Sequence, residues 1–291
     1  TRSLLVTGVQ TCALPISDLH CHSKISDGML TPAELVRRAH ANGAELLALT
    51  DHDEVSGLAE AHSTADALGL RFIDGVEISV TWDDDASVHI VGLGIDPAHA
   101  GLCESLAHLR SGRDLRARKM SDELDKVGIH GAYEGALRYV SNPSLVSRAH
   151  FARYIVEIGR AKDVKSVFDY WLGKDKPGYV PHVWATLEQA ITWIREAGGV
   201  SVIAHPLRYK ISRQTLRRLF GNFRDLGGDG IEVLSGGQND DETRELTRLA
   251  KEFGFLASCG SDFHGPGESR IDLGKVATLP EGLTPVWEKF V

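Results

Sequence analysis

The stretch Glu45-Leu46-Leu47-Ala48-Leu49-Thr50-Asp51-His52-Asp53 joins an apolar run to a cluster of ionisable side chains. The run from Leu46 to Leu49 has the length of a strand, and an unbroken apolar run is typical of a parallel strand buried on both faces. In α/β folds, sites are built at the carboxyl ends of such strands. Taken alone, a polar loop explains the stretch better, but similar endings recur along the chain and favour a site.

Length, composition and charge restrict the class of protein. The 291 residues are 42% apolar and 25% charged, which is typical of a globular protein with one large core or two modest ones. The formal net charge of −8 argues against an extended basic groove for long nucleic acid. The charge is compatible with a short anionic substrate, because bound metal ions can supply positive charge.

The cysteines and histidines indicate a compartment and a chemistry. The four cysteines, Cys12, Cys21, Cys103 and Cys259, form no C-x-x-C pair and are interpreted as reduced thiols of a cytoplasmic protein. The 13 histidines are a high count that points to metal chemistry only where they cluster. No apolar run approaches membrane-spanning length, so we predict no membrane association, and no obligate protein partner is predicted.

Residues 1–17 differ in character from the rest of the chain. They contain Arg2 and an apolar stretch, but polar residues break that stretch and weaken the interpretation as a secretory signal. The segment from Val6 to Ser17 resembles translated sequencing-adapter sequence, and we interpret residues 1–17 as a foreign leader. If Leu14 to Ser17 cannot pair with a neighbouring strand, the next residues of the chain are expected to be poorly held.

The first predicted strand, Asp18-Leu19-His20-Cys21-His22, carries two histidines two residues apart. Alternate residues of a strand point to the same face, and this spacing suits two imidazoles on one metal ion. One such pair is weak evidence, because surface pairs are common. The turn Ser26-Asp27-Gly28 offers a carboxylate nearby.

Helices and further strands alternate after this turn. Thr31 and Glu34 form a capping box that predicts a helix, and a second helix is predicted from about Ser56 to Leu68. Two more strands follow, from Arg71 to Val80 with Glu77 and from Ser87 to Leu93 with His89. A lone glutamate or histidine on an alternating strand is most simply a polar surface position, so each needs partners to be functional.

The pattern changes to mostly helical between about His99 and Pro181. One long helix is predicted to reach about Lys126, and shorter helices cover roughly Pro143 to Glu157 and Asp163 to Leu172. We interpret residues 99–181 as a helical insertion or cap domain. Its segment Ser147-Arg148-Ala149-His150 is a candidate anion contact.

Strands and helices alternate again after His182. The strand Val200 to Ala204 ends in His205, and a further strand spans Gly230 to Val233. The last strand ends in Gly260-Ser261-Asp262-Phe263-His264, where the carboxylate and the imidazole are again two residues apart. The alternation predicts a parallel sheet or barrel.

Nine histidines and carboxylates therefore meet on one rim of the predicted sheet. Such a cluster is costly without cations, and two or three divalent ions are the simplest remedy. Nitrogen and oxygen ligands without thiolate suit zinc, manganese or iron, and clustered ions support phosphoryl transfer. The nine are His20, His22, Asp27, His52, Glu77, His89, His205, Asp262 and His264.

The order of these motifs resembles the motif series of the PHP (polymerase and histidinol phosphatase) superfamily from about Asp18 to the C-terminus. Within it, the chain is most similar to nucleoside 3',5'-bisphosphate phosphatases, including AMP-hydrolysing members, whose insertion carries stretches like residues 147–153 and 176–180. The resemblance implies an α/β fold, a distorted (β/α)7 barrel formed by residues 18–98 and 182–291, with the helical insertion at 99–181.

The resemblance also implies roles for the nine residues. Two or three divalent ions are expected, most simply manganese, with zinc or iron as alternatives, and a metal-bridging hydroxide is the expected nucleophile. Ser147, Arg148 and Arg208 are expected to contact substrate phosphate. The first ion is assigned to His20, His22, Glu77 and Asp262, the second to Asp27, His52 and His264, which are also expected to be catalytic, and the third to His89 and His205 with Glu77 bridging.

These expectations predict a phosphatase that removes a phosphate, most simply the 3'-phosphate, from small nucleotides. A 5'→3' exoribonuclease on short RNA and a histidinol-phosphate phosphatase are alternatives within the superfamily. A non-catalytic PHP module is disfavoured because every motif position is filled. An amidohydrolase barrel also begins with two histidines two apart, but no suitable metal-bridging lysine is found.

Overall fold

One sheet in chain order organises the part of the molecule that the computed structural model describes, which is residues 14–83, 86–209 and 211–290. Its strands are β1 (Ser17–Asp18), β2 (Leu46–Leu49), β3 (Arg71–Trp82), β4 (Ala86–Leu93), β5 (Val200–Ile203), β6 (Gly230–Ser235) and β7 (Leu256–Gly260). The helices are α1 (Pro32–Ala41), α2 (Leu58–Leu68), α3 (Ala100–Ser111), α4 (Arg113–Asp125), α5 (Ala132–Leu137), α6 (Arg148–Glu157), α7 (Val164–Val167), α8 (Leu187–Glu196), α9 (Arg213–Asp225) and α10 (Asp240–Phe253).

The sheet curls into a nearly closed barrel, so the predicted α/β barrel is confirmed. The β1 end meets the β7 end where the Leu19 amide donates to the Cys259 carbonyl (2.9 Å) and the Asp262 amide donates to the His20 carbonyl (2.8 Å). Gly260 permits this approach, because a Cβ there would lie 2.3 Å from the Cβ of His20. The first and last strands therefore bring their polar ends to one place.

The strand β4 departs from the parallel alternation of the other strands, because it is antiparallel to both β3 and β5. Three residues join β3 to β4, and a parallel pair needs a crossover of a dozen or more. The remaining neighbouring pairs are parallel. The antiparallel strand is the distortion of the barrel.

The predicted foreign leader lies mostly in residues 1–13, outside the described residues. Its last residues do pair with the sheet. Ser17 is the register partner of Leu46, and the Ile16 carbonyl accepts a hydrogen bond from the Glu45 amide (2.8 Å). The condition under which the following histidines were expected to be poorly held is therefore not met.

The helices begin largely where capping signals place them. In α1, the Thr31 side chain accepts from the Glu34 amide and the Glu34 side chain accepts from the Thr31 amide. The predicted single helix to about Lys126 is wrong, because α3 and α4 are separated at Gly112. Glycine is a poor helix former, and a Cβ at this position would lie 2.6 Å from His182 Cε1.

Two separate apolar clusters divide the described residues. The larger one surrounds the barrel, and the smaller one lies entirely within the predicted insertion, between Ala117 and Leu172. The predicted boundaries at 98/99 and 181/182 stay a prediction. None of the described helices combines the length and apolar character needed to cross a bilayer.

Polar contacts connect the insertion to the barrel beside the strand ends. Arg153 on α6 binds Glu268 with Nε and one terminal nitrogen, each 2.8 Å from a carboxylate oxygen, and also donates to the Asp27 carbonyl (2.7 Å). Arg113 on α4 forms an ion pair with Asp53, and both side chains are buried. The two contacts fix the insertion over the site.

The first turn of α6 contains a capping box with a histidine in the glutamate position. The Ser147 side chain accepts from the Ala149 amide (3.2 Å), and His150 Nδ1 accepts from the Ser147 amide (3.0 Å). His150 is buried, and this burial lowers its pKa to about 4. The cap therefore needs the neutral imidazole.

This cap makes the stability of the chain pH-dependent. Unfolded chain binds a proton at His150 near pH 6.5, whereas folded chain binds it only near pH 4, so stability falls as pH falls between these values. We expect this histidine to lower the free energy of unfolding by about 2 kcal/mol when the pH falls from about 7 to about 5. In His150→Gln, the amide oxygen can still accept the hydrogen bond from the Ser147 amide. The free energy of unfolding, measured by urea titration at both pH values, should therefore fall by about 2 kcal/mol less in this variant than in the wild type.

The exposed His130 of the same insertion provides the matched control. His130→Gln should keep the wild-type pH dependence of urea unfolding. Equal pH dependence in His150→Gln and the wild type would contradict the assignment.

Candidate metal centre

Every one of the nine histidines and carboxylates singled out in the sequence lies in one cluster at the strand ends. His20 and His22 follow β1, His52 follows β2, and Glu77 and His89 project from the paired strands β3 and β4. The remaining members are His205 after β5, Asp262 and His264 after β7, and Asp27 in the loop before α1.

Glu77 lies at the centre of this cluster and is fully buried. Its Oε1 is 2.9 Å from His89 Nδ1, 3.2 Å from His20 Nε2 and 3.3 Å from His205 Nε2. Its Oε2 is 2.8 Å from His52 Nδ1 and 3.5 Å from His22 Nε2. One carboxylate therefore faces five imidazoles from four different parts of the chain.

Four groups of side chains could each hold a metal ion. Within each group, the potential ligand atoms all lie within 4.8 Å of one another. The predicted second-ion set of Asp27, His52 and His264 falls in one group, which also includes His22. The predicted third-ion pair is divided, because His89 groups with His52 and Glu77, whereas His205 groups with His20 and Glu77. The fourth group consists of His20, His22 and Asp262.

The donor set fits divalent ions. Buried side-chain atoms that have no hydrogen-bond partner include Asp27 Oδ1, His22 Nδ1 and His205 Nδ1. An unsatisfied buried polar atom costs about 1–3 kcal/mol, and more when it is charged. Cations that bind the carboxylate oxygens would remove much of this cost, and oxygen and imidazole ligands suit manganese, zinc or iron.

Burial and neighbouring charges shift the pKa values of the clustered imidazoles in opposite directions. Burial lowers the pKa of His22 to about 3, and repulsion from His264 and His52 adds to this effect. Burial opposes the charged form of His52 as well, but attraction to Glu77 and Asp27 is stronger and raises its pKa to about 9.

The buried carboxylate responds in the opposite sense. Burial raises the pKa of Glu77, but attraction to His89, His20 and His52 outweighs burial and holds this pKa well below its ordinary value. The Glu77 carboxylate is thus held in its charged form by protons on the surrounding imidazoles. Metal ions compete with those protons for the same nitrogen and oxygen atoms.

Buried carboxylates that the sequence reasoning did not select support this cluster. Glu232 Oε1 lies 2.5 Å from His20 Nδ1, and Asp51 accepts hydrogen bonds from Ser23 and Ser26 (2.5–2.8 Å) in the loop that carries Asp27. Glu232 was missed because, unlike Glu77, it belongs to none of the motifs on which the resemblance rests. Its charge between Ile231 and Val233 is the sequence feature that could have identified it.

The three predicted phosphate contacts have different surroundings. Ser147 Oγ donates to Asp27 Oδ2 (3.0 Å), which places the N-terminus of α6 against the cluster. The half-buried Arg148 follows directly, with its guanidinium 5.7 Å from the centre of the Phe168 ring. Arg208 forms an ion pair with Asp262 and donates to the Gly236 carbonyl (2.7 Å). Their substrate roles stay a prediction.

Arg116 on α4 joins Arg148 in a basic pair that sequence reasoning did not select. Its Nε donates to the Val180 carbonyl (3.0 Å). Burial, followed by repulsion from Arg148 and Arg113, lowers the pKa of Arg116 to about 9. Burial also lowers the pKa of Arg148. Within the described residues, neither guanidinium forms an ion pair with a carboxylate, whereas Arg113 pairs with Asp53.

Comparison with known proteins connects this geometry to phosphoester chemistry. The model of the PHP domain family matches residues 18–199. A 3',5'-nucleoside bisphosphate phosphatase of Chromobacterium violaceum is 49% identical over 273 residues, which cover 94% of this chain and 95% of that protein. A 5'-3' exoribonuclease of Haemophilus influenzae is 44% identical over 273 residues, which cover 94% of this chain and 98% of that protein.

A solved structure has the same architecture. It is that of an amidohydrolase from Chromobacterium violaceum with bound sulfate and no metal, and it matches with a TM-score of 0.91 and 49% identity over 94% of this chain and 95% of the other. In the present chain, the carboxylate of Glu77 lies among the clustered histidines of the candidate metal centre. The chain belongs to the PHP domain family and is a metal-dependent phosphoesterase.

Proposed function

We propose that this chain is a phosphatase that removes the 3'-phosphate from nucleoside 3',5'-bisphosphates. One observation carries the proposal, namely two anion-attracting features side by side. The nine-residue candidate metal centre is one, and the Arg116–Arg148 pair, which lacks carboxylate partners among the described residues, is the other. A substrate with two phosphates on one nucleoside matches two such features.

The metal centre is proposed to bind the phosphate that leaves. Divalent ions held by the nine residues supply positive charge to the phosphate oxygens and lower the pKa of an attacking water. The side chains of His52, His89 and His264 are 14%, 22% and 23% exposed, whereas His20 and His22 are fully buried. The more exposed imidazoles form the side from which substrate enters, which supports catalytic roles for His52 and His264 together with Asp27.

The basic pair is proposed to bind the second phosphate. Two guanidiniums that repel each other favour an anion between them, and guanidinium grips phosphate through paired hydrogen bonds. Ser147 places a hydroxyl and the N-terminus of the ten-residue helix α6 on the same side of the centre. Arg208 is proposed to exchange part of its contact with Asp262 for substrate phosphate.

A 5'→3' exoribonuclease is the second candidate. Its support is the relative from Haemophilus influenzae, which carries that name at 44% identity and nearly full coverage. The first nucleotide of an RNA with a 5'-phosphate presents the same two phosphates as a nucleoside bisphosphate, so both activities suit this pair of features. The net charge of −8 favours the shorter substrate.

The metal centre predicts stabilisation by ions. A ligand that binds only folded chain at a hundredfold excess over its Kd stabilises it by about 2.7 kcal/mol per site. Manganese added to metal-free protein should therefore raise the thermal midpoint by several degrees, and Glu77→Gln should remove most of the gain. Calorimetry with and without manganese measures it, with the half-exposed His62→Ala as control. An equal gain in Glu77→Gln would contradict a central role for Glu77.

The substrate proposal predicts a definite order of activities. With manganese present, adenosine 3',5'-bisphosphate should release phosphate faster than AMP or a short 5'-phosphorylated RNA. Only the bisphosphate can place one phosphate at the metal centre and one at the Arg116–Arg148 pair without further contacts along an RNA strand. His52→Ala should abolish the release. Colorimetric phosphate measurement and separation of the RNA products follow the three reactions.

The other outcomes are informative. Faster conversion of the RNA to mononucleotides would replace the phosphatase proposal with the exoribonuclease. Metal-loaded, folded protein that turns over none of the three substrates would exclude both.

The basic pair predicts a substrate-specific defect. Hydrogen bonds to charged groups contribute about 1.5–3 kcal/mol, so Arg116→Ala and Arg148→Ala should each lower kcat/KM for the bisphosphate about 10- to 100-fold. Adenosine 3'-monophosphate lacks the second phosphate, and its hydrolysis should change little. Steady-state kinetics on both substrates test this.

Arg118 on the same helix is exposed and pairs with Asp114 (3.0 Å), so Arg118→Ala is the matched control. Equal losses for the bisphosphate and the monophosphate in Arg116→Ala would show that the arginine does not bind the second phosphate.

A further inference from the structure

Glu232 is a fully enclosed carboxylate within β6, and only 1% of its surface is exposed. Its neighbours in the strand, Ile231 and Val233, belong to the apolar core of the barrel. Burial of a carboxylate in such surroundings is expensive unless both oxygens are hydrogen-bonded. The contacts of these oxygens therefore indicate why the strand carries a glutamate.

The two oxygens hold two different candidate ligands. Oε1 lies 2.5 Å from His20 Nδ1, and Oε2 accepts a hydrogen bond from the backbone amide of His205 (2.7 Å). His20 follows β1 and His205 follows β5, so they belong to distant parts of the chain. Their rings stack with centroids 5.7 Å apart. Glu232 is a single group that touches both.

The contact with His20 selects the atom that faces the metal centre. An ionised carboxylate only accepts hydrogen bonds, so His20 Nδ1 carries the hydrogen that points at Glu232. His20 Nε2 then faces the other side, where it lies 3.2 Å from Glu77 Oε1 and 3.5 Å from Asp262 Oδ1. A carboxylate on the remote nitrogen fixes the ring and the tautomer of a ligating histidine.

The contact with His205 holds an unusual backbone. His205 has φ 29° and ψ 56°, in the left-handed region that residues other than glycine rarely adopt. Such conformations persist only where surrounding contacts enforce them. The hydrogen bond from the His205 amide to Glu232 is one of these contacts, and it directs Nε2 of that histidine to within 3.3 Å of Glu77.

We infer that Glu232 is a positioning residue that fixes His20 and His205 as one unit of the metal centre. This inference rests on the metal-dependent activity described above. Because the two oxygens act on two ligands at once, removal of one acceptor should loosen both His20 and His205. Carboxylates in this position typically strengthen metal binding 10- to 100-fold.

Glu232→Gln tests the inference most sharply. An amide has one acceptor oxygen, so it cannot accept hydrogen bonds from both His20 and His205. We expect manganese affinity, measured by equilibrium dialysis with elemental analysis, to fall about 10- to 100-fold. Excess manganese should restore kcat while KM for the phosphate substrate stays near the wild-type value.

Asp229, which immediately precedes β6, provides a matched control. Its Oδ2 accepts hydrogen bonds from the Ser201 amide (2.9 Å) and the Ser201 hydroxyl (3.0 Å), at the end of β6 away from the metal centre. Asp229→Asn should keep wild-type manganese affinity. Manganese affinity that is equal in Glu232→Gln, Asp229→Asn and the wild type would overturn the inference.

A measurement on the unsubstituted protein does not depend on the variants folding. In zinc-loaded chain, long-range proton–nitrogen NMR correlations should show His20 protonated at Nδ1. A proton on His20 Nε2 would overturn the inference. Both readouts are separate from turnover, so metal binding that follows these expectations without hydrolysis of any phosphate substrate would reject the proposed function and leave the role of Glu232 intact.

Discussion

The structure depends on neutralising one buried carboxylate. Glu77 is inaccessible to solvent and faces imidazoles that follow or lie on β1, β2, β4 and β5. Its negative charge attracts the imidazoles at the ends of these strands, while the apolar side chains of the strands form the core beneath it. Neighbouring buried imidazoles repel one another when they are all protonated, so divalent ions neutralise the carboxylate better than protons do. The need for cations thus follows from the fold's own geometry.

Much of this site could be predicted from local sequence. A strand has a repeat of two, so His20 and His22 had to share a face, as did Asp262 and His264. An apolar run followed by His52 placed that residue at a strand end. Once the alternation of strands and helices indicated a sheet, the nine residues had to meet on one rim. The cluster was therefore predictable. The assignment of His89 and His205 to one ion stays a prediction, because both lie against Glu77 Oε1 but fall in different groups of potential ligands.

Features set by contacts distant in sequence could not be predicted in the same way. The orientation of β4 follows from its pairing with both β3 and β5, and the break at Gly112 follows from the approach of His182. Glu232 lies in the middle of a strand and becomes informative only when His20, 212 residues earlier, packs against it. Arg116 appears as an ordinary charged helix residue until the fold buries it and exposes it to repulsion from Arg148 and Arg113.

Most of the insertion has its own apolar cluster, although Leu102, Leu106 and Leu109 of α3 pack in the core of the barrel. Polar contacts connect the insertion to the barrel beside the metal centre. Ser147 and Arg153 of the insertion both bind Asp27, a candidate metal ligand that belongs to the barrel. The first residues of α6 thus touch the metal centre on one side and contribute Arg148 to the basic pair on the other. Changes in the insertion can therefore alter which phosphoester substrate fits while the metal ligands of the barrel stay in place.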